Sequence, residues 1–206
     1  MERVDKNEAE NPTQIAVLGT LAEFRRDPLP YDLTALVDLV AKIHPDLLCL
    51  DISLEQWQQQ DFSSLPAEYS EALLPLADQT DIVVVPIGGA QSMPQATAVG
   101  WSGLVIGWAS QLLGWIRASA PGPDAINRGW RHDWGNALYS LIRSLAGSEV
   151  NDAYHAHIEQ VSQAALQVAQ NNPGSRILVV TNIQYCHHIR PQLQEAGLTE
   201  TTYNNL

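Results

Sequence analysis

The sequence predicts an α/β protein: a mostly parallel sheet of about four main strands, flanking helices, and a helical insertion before the last strand. Three observations predict it. Four short apolar runs, Ile15 to Leu18, Leu47 to Leu50, Ile82 to Ile87 and Ile177 to Val180, are continuous rather than alternating, as in strands buried on both faces. Between the first two, Leu33, Leu36, Val37, Val40 and Ile43 recur at helical spacing before Pro45, which makes a βαβ unit. The 206 residues are enough for one sizeable domain, with a core drawn from the 45% that are apolar.

Taken in order, residues 1–13 are polar and charged and read as a loose tail without the apolar core of a secretory signal. Gln14 to Phe24 reads as a first, central strand and a functional loop, with ligands expected beyond the strand's carboxyl end, near Thr20, Arg25 and Arg26. SLEQWQQQDFSS reads as a loop, and LPAEYSEALLPLADQT as a helix capped by Ser64 and kinked or ended at Pro75. After the third strand, Gly88 and Gly89 suit either a plain loop or a close approach to a ligand.

Residues 91–172 read as the helical insertion. Within it Gly-Trp recurs at 100, 107 and 114, which places Gly100, Gly103, Gly107 and Gly114 along one helix face beside Trp101, Leu104, Trp108 and Trp115. The stretch Val99 to Ile116 is just long enough to span a membrane, but its glycines, Ser102, Ser110 and Gln111, and the lack of a basic flank on its N-terminal side favour a buried or interface-forming helix, and with it a homodimer. A second helix is expected to pair with it through Ile126, Trp130, Trp134, Leu138 and Ile142, its Arg128, Arg131, His132 and Asp133 forming a solvated polar face. A third helix spans about Glu149 to Gln170, where His155 and His157 point to different sides. The last strand leads into a loop and a closing helix capped by Gly197, and the final residues either form an edge strand or hang free.

Charge and cysteine usage narrow the function. With Lys+Arg at 11 against Asp+Glu at 23, the net charge of −12 gives no basic footprint for a nucleic-acid backbone and repels anionic membranes and substrates. Two cysteines without CxxC spacing read as free thiols in a reducing cytoplasm. GxSxG, HExxH, P-loop and GxGxxG signatures are all missing from the sequence.

Three segments, VLGT at Val17 to Thr20, HPDLLCLDIS at His44 to Ser53 and RILVVTNIQ at Arg176 to Gln184, resemble the strand-end motifs of the superfamily that joins TraB, Tiki-type proteases, ChaN-like proteins and erythromycin esterases. The resemblance implies an α/β fold and a hydrolytic or metal-holding site made of two histidines and a carboxylate. The aligned positions here carry Ala22, Asp51 and Gln184, so two of the three groups have changed chemistry. The resulting expectation is a divergent, non-catalytic member that binds an unknown small molecule through Thr20, Arg25, Arg26 and Gln184, or associates with itself. The alternative is a hydrolase using a divalent metal, with a shifted site drawn from Glu23, Asp51, His187 and His188.

Overall fold

The structure is a computed structural model that describes residues 12–20, 31–89, 100–198 and 200–206. Four parallel strands, β1 (Gln14–Thr20), β2 (Leu47–Ser53), β3 (Val83–Gly88) and β4 (Arg176–Asn182), form one sheet in the order β1-β4-β2-β3. The fold class matches the expectation, and the strands are the four apolar runs. The order does not: β4 and β2 are the inner strands, and β1 is not central.

Both flanks of the sheet have a physical reason. Pro86 lies within β3 and lacks the N–H that a ladder on both sides requires, which suits an edge strand. β1 is buried along its length because other parts of the chain take a neighbouring strand's place. Near its start, Ile15 bridges Glu200 and accepts from the Thr201 N–H at 2.9 Å, so the terminal segment is pinned there. Near its end, the Asn127 side chain accepts from Gly19 N–H and donates to Gly19 C=O, both at 2.8 Å, as a paired strand would. Arg190 completes the cover by donating to Val17 O at 2.9 Å and to Asn127 Oδ1 at 3.0 Å. Asn127→Ala orphans both buried groups of Gly19 and is expected to cost about 2–4 kcal/mol. Urea unfolding checks this, and an unchanged midpoint would mean that Asn127 does not substitute for a strand.

Helix α1 (Leu33–Ile43) starts at Asp32, whose side chain accepts from Ala35 N–H, and buries Leu36, Val40 and Ile43. The segment after β2 is not a loop but a short helix, α2 (Leu54–Gln59), with a Ser53/Gln56 capping box. Ser64 caps nothing in the following helix, which opens with a π-helical stretch, Glu68–Leu73, and continues as α3 (Leu74–Asp78). Pro75 neither ends nor breaks it. The wider turn precedes a residue that cannot donate and whose ring crowds the preceding turn, and it places Glu68 and Tyr69 together in the interior.

The long helices α4 (Trp101–Ala118), α6 (Trp130–Ala146) and α7 (Ser148–Asn171) follow, with the short α5 (Pro123–Asn127) between the first two. α4 packs on α6 through Ala109, Leu113, Ile116 and Leu138. Two expectations for α6 reverse: Trp130 and Trp134 are exposed, while His132 is buried, bonded to Ile126 O and to Asn136. α8 (Ile183–Glu195) begins directly at the end of β4, with no loop, and buries Cys186. Gly197 takes a positive φ one residue past the Ala196 cap. Among the described residues no helix is long and apolar enough to cross a membrane.

Candidate functional site

The inner strands part at their carboxyl ends. β2 and β4 pair only as far as Leu50 and Val180, although both strands continue, and the β2–β3 register shifts between Leu50 and Ser53. Asp51 sits inside that irregularity. Such breaks commonly re-aim a side chain at a site, and the carboxyl ends of parallel strands are where α/β proteins bind ligands. The Tyr69 hydroxyl fills the place of the missing rung. It donates to Val180 O at 3.0 Å and receives a hydrogen bond from the Asp51 backbone N–H. Gly88 closes the other side, because a Cβ there would lie 2.7 Å from both Asp51 Oδ1 and Ile52 N. The close approach that this glycine permits is thus to β2 itself.

Held in this way, Asp51 Oδ2 lies 2.8 Å from His157 Nε2, with the two side chains 14% and 13% exposed. A carboxylate at Nε2 fixes the tautomer with the proton there and leaves the lone pair on Nδ1. The imidazole packs 4.7 Å from the Tyr185 ring, centroid to centroid. His157 comes from α7, whose Tyr154, Ile158, Val161 and Ala165 face the interior, so helix packing sets the position of the ring.

On the inner side of Asp51 lies Glu68, only 2% exposed. Thr20 Oγ1 donates to Glu68 Oε1 at 2.6 Å and also lies 3.1 Å from Thr181 O. Glu68 Oε2 is buried with no hydrogen-bond partner among the described residues. Burial is the main cause that pushes the Glu68 carboxyl from 4.5 up to about 8; the Thr20 hydrogen bond opposes the shift, and the nearby Asp51 charge adds to it. Glu68 therefore keeps its proton at neutral pH.

The residues named from sequence divide into three groups. Asp51 is at the centre of the site. Thr20 is fully buried with its hydroxyl on Glu68, so it supports an acid instead of presenting a donor to a ligand. Glu23, Arg25 and Arg26, with Ala22, lie outside the described residues. His187 and His188 do not join Asp51. His188 stands 5.8 Å from the Tyr154 ring, and Tyr154 is 5.3 Å from Tyr185, so two tyrosines separate it from His157. His187 is exposed and packs against His132 at 5.6 Å and His188 at 5.4 Å. Burial first, then the charges of His187, Arg143 and His155, hold His188 below its ordinary value, which disfavours a charged acid there. Gln184 is half-buried in the first turn of α8, its carbonyl accepting from the Tyr154 hydroxyl.

Sequence reasoning missed Glu68 and His157. Glu68 lies in the helix-forming segment LPAEYSEALLPLADQT, where the residue type alone does not mark it as buried. The signal that could have found His157 is its place one helical turn from the interior positions Tyr154 and Val161. Asp51 and His157 supply two potential ligands for a divalent metal. Among the described residues no three His, Cys, Asp or Glu side chains converge to hold one, so the metal that the resemblance implies does not fit the residues described.

A separate cavity of about 390 Å³ lies toward the amino-terminal ends of the strands, beside Ile43, Lys42, Arg176 and Tyr203. Its Arg176 guanidinium is committed to the carbonyls of Ile43, His44 and Leu206, which ties the chain end to the sheet. Comparisons with protein-family models, with curated proteins and with solved structures found no match.

Proposed function

We propose that the carboxyl end of the sheet is an acid–base site for hydrolysis of a small, uncharged ester-type molecule, with His157 as base, Asp51 as its orienting partner and Glu68 as acid. The observation that carries this reading is geometric. One parted strand end holds a carboxylate–imidazole pair at 2.8 Å beside a second, buried carboxyl group whose Oε2 has no partner among the described residues. Carboxyl groups placed in contrasting environments at a single site are a recurring arrangement for acid and base roles at neutral pH.

The chemistry follows from the two protons. His157 Nδ1 takes a proton from water as the water oxygen bonds to the acyl carbon. The bond from that carbon to the leaving oxygen breaks, and the leaving oxygen takes the Glu68 proton. Solvent exchange returns the imidazolium proton and reprotonates Glu68. The net charge of −12 favours neutral over anionic substrates.

The resemblance to the esterase-containing superfamily is consistent with this class of reaction, but a non-catalytic binding role would follow if the changes at Ala22 and Gln184 removed the only chemistry. Hydrolysis of a panel of activated esters, amides and phosphoesters separates the two. His157→Ala is expected to lower the rate on the best ester by about 10²–10⁴-fold, with Asp51→Asn also impaired. Turnover by His157→Ala equal to that of the parent, or none above buffer by the parent on any of them, would remove the enzymatic reading.

A further inference from the structure

The face of α4 that turns away from the core carries a ridge and a groove side by side. Trp101, Leu104, Trp108 and Trp115 fall within a narrow arc of the helix and are 82%, 73%, 55% and 58% exposed. In the adjacent arc, a Cβ added at Gly100, Gly107 or Gly114 would meet nothing within 4 Å among the described residues. No charged residue occurs from Trp101 to Ile116. The ridge continues onto α6, because the Trp115 and Trp130 rings are 6.3 Å apart and Trp134 is exposed one turn further on.

We infer that this face binds a second copy of the same chain, with the tryptophan ridge of each α4 lying in the glycine groove of the other around a twofold axis near Gly107. Both halves of the pattern repeat every seven residues on one helix, so the surface is complementary to itself, as a twofold interface requires. Five exposed tryptophans with roughly 150–250 Å² each to bury, and Leu104, bring the face to the order of 600 Å² per copy, close to the roughly 800 Å² that a standard interface takes from each partner. Charge argues for the same occupant. From Trp101 to Ile116 two copies of α4 meet without desolvating an ion, with Arg131 stacked over Trp130 at the edge of the ridge, and the net charge of −12 disfavours an anionic lipid surface as the occupant.

Sedimentation velocity of the full chain over a wide concentration range tests the inference. The parent is expected to reach the two-chain mass, and Trp108→Glu to stay at one. Gly107→Gln with Gly114→Gln provides the decisive arm: the groove is filled while helix propensity rises, so the variant should unfold at a higher temperature yet fail to associate. A one-chain mass for the parent at every concentration would overturn the inference. So would undiminished association of the double variant, or co-sedimentation of a monomeric parent with phosphatidylcholine–phosphatidylserine vesicles that Trp108→Glu abolishes.

Discussion

Glu68→Gln is expected to be more stable than the parent at pH 8, although it removes a group assigned to the chemistry. The sign follows from proton binding. The unfolded chain gives up the Glu68 proton near 4.5, whereas the folded protein holds it to about 8. Across that window the folded state binds more protons, so its stability declines as pH rises and the contribution is gone above about 8. The full span corresponds to the order of 5 kcal/mol. Glutamine keeps an oxygen to accept from Thr20 Oγ1 and cannot ionise, so the variant lacks this slope. Urea unfolding of both proteins at pH 5 and pH 8 provides the check. Parallel pH dependences would show that Glu68 ionises in the folded state as it does in the unfolded chain. Ester hydrolysis by the same variant should fall, which would set stability and activity in opposition at this residue, a common pattern at functional sites.

Tyr69→Phe is the second large effect. The hydroxyl stands between Val180 O and the Asp51 N–H where β2 and β4 part, and its removal orphans both groups. A loss of about 2–3 kcal/mol is expected, because a buried backbone group without a partner costs about 1–3 kcal/mol. Asp51 would also lose its backbone anchor, so the rate should drop further than the stability loss explains, with kcat affected more than KM. A variant with the parent's unfolding midpoint and kcat would show that water fills the rung and that Tyr69 does not position Asp51.

The strands were legible because burial on both faces leaves a continuous apolar run, and Gln14–Thr20 and Arg176–Asn182 both show one. Strand order was not, because it depends on pairings between distant segments. β1 reads as central since it is buried throughout. Its cover comes instead from one asparagine side chain, one arginine and the terminal segment, none of which has strand-like periodicity. The site shows the same division. Asp51 is named from sequence because it takes the carboxylate position of the strand-end motif that HPDLLCLDIS resembles. His157 lies 106 positions away on a helix, and Glu68 owes its chemistry to burial in a wide helical turn, which leaves no mark in local sequence. His187 and His188 drew attention by lying close to Gln184 in sequence, but the helix carrying them starts at once and turns them toward Tyr154 and His132.

The central claim is that a neutral carboxylic acid is held beside the Asp51–His157 pair, and an NMR titration of the 13C-labelled Glu68 carboxyl group tests it most directly. Its midpoint is expected at about 8 in the folded protein, moving downward in Asp51→Asn as the neighbouring charge is removed. A midpoint at 4.5, the ordinary value, would contradict the account, since the buried group would then carry a charge at neutral pH and have no proton to give.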